Sequence, residues 1–278
     1  MKKWILVLLF LFSLGPMACR TPLVGSALPK DDPRPERLRE DLRKRSQDLR
    51  ALQGRARLSV EAPDLSFNRP QRLALERPGR LRVEVLGLFD QVAALIVTRD
   101  HAYQFYDARS GQLEEGRVDP EILWRVARID LSPEEAVGLL LGVPTGHAGL
   151  TVSGAEVFEN GSVAFGLVDP AGVSRAQLTF DSKGRLVAMQ RMDESGRQIW
   201  SARYTNFKSI QQGDGQTIDF AFDVELRFLR VEAEARFIFS QVELPSDLPD
   251  GLFLLKLAKH EEGDSSKGQW ASMEPLQP

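Results

Sequence analysis

The sequence predicts a mainly β fold with inserted helices. Three observations carry that expectation. Apolar and polar residues alternate with period two over many short runs, turns rich in Gly and Pro separate the runs, and two short apolar segments with helix-start signals interrupt them midway. Hydrophobic residues make up 42% of the 278-residue chain and charged residues 27%, ample material for one large β-domain or two small ones. A formal net charge of -3, without a large basic block, argues against nucleic acid as a partner.

The elements follow in order. Met1-Lys2-Lys3 precedes an apolar run from Trp4 to Leu14 of about 11 residues, within the roughly 7–15 of a signal-peptide core and short of the ~20 that span a bilayer. It ends at Ala18-Cys19, which holds the chain's single cysteine. The small residue before Cys19 resembles a bacterial lipobox, in which the cysteine is acylated and becomes the new amino terminus, although Pro16 stands where leucine is usual. Cleavage after Gly25-Ser26-Ala27 is the alternative, and it would release a soluble protein. A lone cysteine leaves no intramolecular disulfide, so stability must come from the core.

Residues 1–18 are therefore expected to be a signal peptide. Residues 19–35, with Pro22, Pro29, Pro33 and Pro35, are expected to form a polar tether. Strong helix formers run from Glu36 to Gln53, with Leu38, Leu42, Leu49 and Leu52 on one face and Gly54 as the expected stop. Arg34 to Arg50 carries seven basic residues against four acidic ones. It reads as a solvated helix face, or as a surface that grazes anionic headgroups.

Alternation then takes over. Ala56, Leu58 and Val60, then Leu73 and Leu75, then Leu81, Val83 and Val85 each define one apolar face and one wet face, with Pro78-Gly79 as the clearest turn. Val92 to Thr98 is apolar on both faces and should be covered on both, and Tyr103 and Phe105 continue the meander. Asp119-Pro120-Glu121 opens a short helix with Ile122, Leu123 and Val126 inward. Ser132-Pro133-Glu134-Glu135 caps a second through Leu139, Leu140 and Leu141, stopped by Gly142-Val143-Pro144. That second helix has almost no polar face and must be inserted into something.

Strands resume with Val163, Phe165 and Leu167, with Ala176, Leu178 and Phe180, and with Leu186, Ala188 and Gln190. Further runs are Ile199–Phe207, Ile218–Leu226, Leu229–Val242 and Leu252–Leu257. Asn160-Gly161, Lys183-Gly184, Ser195-Gly196 and Gly213-Asp214-Gly215 suit the hairpins between them. Residues 259–278 read as a polar, disordered tail.

Sites for chemistry are missing from this pattern. His101, His147 and His260 stand in no metal-ligand spacing, and His260-Glu261-Glu262-Gly263 lacks the second histidine of a zinc-hydrolase helix. There is no P-loop and no glycine-flanked nucleophile, and Gly213-Asp214-Gly215 goes no further toward a dinucleotide fingerprint. The expectation is a protein that is not an enzyme, holds no metal and needs no cofactor, and works by shape and apolar surface.

The order of elements resembles the LolA/LolB family of lipoprotein-trafficking proteins across residues 36–258. The resemblance is specific in three places: the helix-to-strand passage Leu52-Gln53-Gly54-Arg55-Ala56-Arg57-Leu58-Ser59-Val60, the paired helices ending in Leu139-Leu140-Leu141-Gly142-Val143-Pro144, and the late strand Trp200-Ser201-Ala202-Arg203-Tyr204-Thr205-Asn206-Phe207. It implies an unclosed, curved antiparallel β half-barrel with an N-terminal amphipathic helix and two short apolar helices capping the concave face. It also implies that Leu88 and Phe89, between the third and fourth strands, form a membrane-insertion loop, unless they fold back under the sheet.

In that frame Leu81, Val83, Val85, Leu139, Leu140, Phe165, Leu178 and Phe180 are candidates to line an acyl-binding cavity, unless they fill a solid core. Cys19 would carry the lipid. The implied role is a monomeric outer-membrane lipoprotein, facing the periplasm, that takes acylated lipoproteins from a LolA-like carrier. The rival is a half-barrel for a glycolipid or phospholipid, or a structural module of the envelope.

Overall fold

Period-two alternation builds one antiparallel sheet in the computed structural model, which describes residues 25–213 and 215–255. A short strand β1 (Gly25–Ala27) and helix α1 (Arg34–Asp48) precede a first meander: β2 (Ala51–Ala62), β3 (Leu65–Glu76), β4 (Arg80–Leu86), β5 (Val92–Arg99), β6 (Ala102–Asp107) and β7 (Gln112–Arg117). Helices α2 (Ile122–Ala127) and α3 (Pro133–Leu140) follow. A second meander then runs through β8 (Thr151–Phe158), β9 (Val163–Val168), β10 (Ser174–Phe180), β11 (Leu186–Met192), β12 (Gln198–Gln211), β13 (Thr217–Phe228) and β14 (Ala233–Glu243).

The last strand closes back on the first meander, because β14 pairs with β2. The order across the sheet is β1-β8-β9-β10-β11-β12-β13-β14-β2-β3-β4-β5-β6-β7. β1 and β7 are its two edges and do not pair, so the half-barrel stays open. Register shifts at Phe239/Gln241, Thr179/Phe180 and Val85/Leu86 mark irregular pairing of the kind that bends strands and sharpens twist. The chain leaves the sheet at the edge strand β7 and re-enters beside the opposite edge at β8, so α2 and α3 must cross the opening.

Local chemistry explains the elements. α3 starts with a capping box: Ser132 accepts from the Glu135 amide while the Glu135 side chain accepts from the Ser132 amide. Six of its eight residues are buried. In the second meander, three successive hairpins share one device. Asp169, Asp181 and Asp193 each accept two backbone N–H groups across their own turn and hold an arginine, Arg175, Arg185 and Arg197, with the second oxygen. Hydrogen bonds to the charged form, led at Asp193 by the Ser195 hydroxyl, hold all three carboxyls below the usual carboxylate range.

Several expectations change. α1 ends at Asp48, not Gln53, and Gly54 is not its stop. Gly54 lies inside β2, where a Cβ would clash with the carbonyl oxygen of Gln241 at the β14 bulge. The glycine serves the close approach of two backbones. Gly25–Ala27, expected within the tether, pair with Phe158, Val157 and Glu156 of β8. β7 and β8 carry too little apolar alternation to be expected. In β11, Met189 is buried rather than Ala188 or Gln190, because the β10–β11 register slips at Phe180. Leu229 to Glu232 form a turn ahead of β14, and Asp250–Phe253 form a 3-10 turn instead of starting a strand. Leu254 and Leu255 are not in a strand, and residues 256–278, which hold the end of that predicted strand and the polar tail, lie outside the described residues.

The wet face expected for β3 and β4 is also overturned. Arg72, Arg82 and Glu84 point outward and are nonetheless buried. Glu84 is fully buried and holds both arginines, Arg72 Nε at 2.7 Å and Arg82 Nη2 at 2.7 Å. The chain after β14 covers this face: Arg82 donates to the Leu252 carbonyl at 3.1 Å, and Leu248 and Phe253 pack with Leu95, Val97, Ala51 and Ala74. That strap is what covers the outer face of the two-sided run Val92–Thr98.

His147, in the α3–β8 connection, is half-buried with Nε2 enclosed and unpartnered. Burial first, then the Arg191 and Arg39 cations, push its pKa down to about 4. The unfolded chain takes up that proton near the ordinary value of about 6.5, so the neutral imidazole's contribution is complete above pH 6.5 and is lost as pH falls toward 4. The stability advantage of wild type over His147→Gln is expected to be constant above pH 7 and to shrink by roughly 1–3 kcal/mol by pH 4. Urea titrations of both proteins across that range check it.

Candidate functional site

The two halves of the concave face are filled differently. Under the second meander the middle of the sheet is densely packed, and only its end beneath α1 keeps a pocket, of about 410 Å³ and partly polar, walled by Leu42, Arg45, Leu140, Phe180, Tyr204 and Asp219. Phe165 stacks on Phe180 with ring centroids 5.6 Å apart, Phe220 meets Phe239 edge-on at 5.6 Å, and the buried Tyr204 hydroxyl donates to the Leu139 carbonyl at 3.2 Å. That last bond fixes the end of α3, and desolvation pushes the Tyr204 pKa well up.

Under the first meander a cavity of about 210 Å³ remains between β2–β6 and the helices. Leu81, Val83, Val85 and Leu140 of the predicted set line it. Leu139, Phe165 and Leu178 sit in the packed core instead, and Phe180 is buried there as well but also edges the pocket beneath α1. The wall also includes Phe67, Phe105, Leu123, Val126 and Gln71, which sequence reading did not assign to a cavity.

Burial in this cavity is unfinished. Leu65, Phe67, Val83, Val85, Phe105 and Val126 are all lining residues and only half-buried, so apolar side chains keep contact with water. The lid over them is α2, fastened to the rim at its C-terminal end. α2 contributes Leu123, Val126 and Ala127 to the lining, and its C-cap Arg128 pairs with Asp64 in the β2–β3 turn at 2.7 Å. Asp130, between the helices, pairs with Arg230 in the β13–β14 turn at 2.7 Å. Both are forked arginine–carboxylate pairs with an exposed partner, so salt in the surrounding water screens them. α2 buries Ile122 and Leu123 and leaves Trp124, Val126 and Ala127 half-buried, whereas six of the eight residues of α3 are buried.

The β4–β5 connection is the second feature. Leu88–Asp90 form a 3-10 turn closed at its base by the Gly87 N–H donating to the Gln91 carbonyl at 2.8 Å. Leu88 is 78% and Phe89 98% exposed, so neither folds back under the sheet. Phe89 adopts φ 65° and Asp90 φ 60°, a left-handed region that a bulky side chain rarely occupies. Arg55 pairs with Asp90 at 3.2 Å and steadies the turn.

Cys19 lies outside the described residues. Among the described residues no helix is long and apolar enough to cross a membrane, and no group of three or more His, Cys, Asp or Glu is placed to hold a metal ion.

No family model matches the sequence and no curated protein matches it. Solved structures do match the fold. A LolA superfamily protein from Nitrosomonas europaea is 16% identical with a TM-score of 0.52, over 77% of this chain and 96% of that one. A putative outer-membrane lipoprotein-sorting protein domain from Vibrio parahaemolyticus is 10% identical with a TM-score of 0.52, over 78% and 94%. A DUF1329 family protein from Desulfovibrio piger is 13% identical with a TM-score of 0.51, over 78% and 95%. The chain has the open half-barrel fold that these proteins share.

Proposed function

We propose that the protein is a lipoprotein anchored through Cys19 in the outer membrane and facing the periplasm, which accepts acylated lipoproteins from a LolA-like carrier and passes their acyl chains to the bilayer without catalysis. The observation that carries this reading is the half-exposed apolar cavity beneath α2, beside an exposed Leu88-Phe89 tip. Apolar surface left in contact with water is a standing driving force for a hydrocarbon ligand, on the order of 25 cal/mol per Å² covered. At about 210 Å³ the cavity is smaller than the roughly 300–1,000 Å³ of typical ligand pockets. A full acyl chain then needs α2 to swing outward, which breaks the solvent-exposed Asp64–Arg128 pair at its C-terminal end.

A fluorescent fatty acid should bind the chain carrying Cys19→Ala and be displaced by an acylated peptide but not by its unacylated twin. Equal displacement by both would reject an acyl site. The anchor is tested separately. One acyl chain holds a protein to a bilayer only marginally and several hold it stably, so the wild type should remain with membranes through a high-salt wash and Cys19→Ala should be released. A wild-type protein with no added mass at Cys19, found in the soluble fraction, would remove the anchor from the mechanism.

A further inference from the structure

Gln71 sits in the middle of β3, opposite Ala56 on β2 and Val85 on β4. It shares the inward face with Leu73 and Leu75, and it is 2% exposed. Among the described residues that line the cavity, the other side chains are all aliphatic or phenyl groups, and Gln71 alone brings a hydrogen-bonding group. Its Oε1 is buried and has no hydrogen-bond partner.

An unsatisfied buried acceptor is destabilising, and a leucine or methionine at this position would fill the same wall without that cost. In an empty cavity the carboxamide is a defect. In an occupied one it is a polar reader set inside an apolar tunnel. The inference that follows rests on the acyl-binding reading above and deepens it.

We propose that the cavity's ligand is an acyl chain joined through a secondary amide, whose N–H donates to Gln71 Oε1. A carboxamide offers one acceptor and a donor group side by side, and it can turn about its last bond. A secondary amide, with one N–H and one C=O, complements it in either orientation. An ester or a plain hydrocarbon has no donor, so it leaves Oε1 unsatisfied however the side chain turns. The apolar walls set the length and thickness of chain that fits, and Gln71 sets which linkage is accepted at that depth. N-acylated lipopeptides and N-acylated amino-alcohol lipids both carry this linkage.

The test uses the full chain with Cys19→Ala and a matched pair, N-methylhexadecanamide and methyl hexadecanoate, which differ by N–H in place of oxygen. Displacement of a fluorescent fatty acid should show the amide binding about fivefold or more tightly than the ester, the scale of one net hydrogen bond. Gln71→Leu should bind the ester more tightly and the amide more weakly, bringing the ratio to about one. Gln71→Met, closer in length, should do the same, and melting curves of both variants report that they fold.

Equal affinity of wild type for amide and ester would overturn the inference while leaving an acyl cavity in place. A preference that survives both substitutions would overturn it as well, because the reader would then lie elsewhere. Binding of neither compound would instead overturn the acyl-binding reading on which it rests. Stronger displacement by an N-acylated lipopeptide than by an N-acyl amino alcohol would uphold the amide and identify lipoprotein as its source, and the reverse order would uphold the amide with a lipid as its source.

Discussion

Replacing Leu88 and Phe89 together with glutamate is expected to leave the fold intact and to abolish delivery of acylated cargo to membranes. Both side chains already stand in water at 78% and 98% exposure, and substitutions at such positions usually change stability by no more than about 0.5 kcal/mol. Insertion of the wild-type tip would gain about 1.5–3 kcal/mol per side chain if each were fully buried in lipid. Losing both terms should slow transfer to liposomes by more than about 100-fold, and two carboxylates at the tip add a desolvation cost. On the proposed reading, uptake from a donor carrier uses the cavity under α2 and should persist. The measurement is a two-step assay that follows acylated peptide first to the protein and then to vesicles. Normal delivery by a normally folded double variant would rule out the tip as the membrane step.

The parts of the fold that were legible in the sequence are those where one residue type decides. Alternation placed Ala56, Leu58 and Val60 inward because a pleated strand has two faces and water takes only one. Ser132 and Glu135 announced α3 because orphan amides at a helix start need acceptors. Edge strands were not legible. β7 reads Gln-Leu-Glu-Glu-Gly-Arg and is held by backbone pairing to β6, which leaves little imprint on side-chain type. Gly54 misled, since a glycine that ends a helix and a glycine that lets two strands touch look alike until the partner strand is known.

The candidate site was half legible for a related reason. Val83 and Phe165 carry the same inward signal, yet one lines a cavity and the other a solid core. The difference lies in what surrounds them, a gap under the helices for Val83 and the stacked Phe180 ring for Phe165, and alternation along a strand holds no record of either. Gln71 did carry a signal: it falls in phase with Leu73 and Leu75, so a polar residue was due on the inner face. The buried outer face of β3 and β4 had none, because it is created by the strap at Leu248–Leu255, more than 150 residues away in sequence.

That strap makes Glu84 the residue whose loss should cost the most. Its carboxylate is fully buried and bridges two buried guanidinium groups. Glu84→Gln keeps the shape and removes the charge, so Arg72 and Arg82 would remain cationic with no counter-ion in a desolvated layer. Breaking a buried pair from one side typically costs about 3–5 kcal/mol, and for a domain of this size that lowers Tm by roughly 6–20 °C. Adding Arg72→Met should recover part of the loss, since the second orphaned charge goes with it.

The effect should also reach the site, because the opposite face of the same strand presents Val83 and Val85 to the cavity. A destabilised β4 should bind the fluorescent fatty acid more weakly even at temperatures where the variant is folded. Thermal melts of the three proteins separate the outcomes. A drop in Tm under about 2 °C for Glu84→Gln would mean that water reaches the arginines and that the strap does not seal this face. A double variant no more stable than the single would mean that Arg82, held by the Leu252 carbonyl, is the charge that matters.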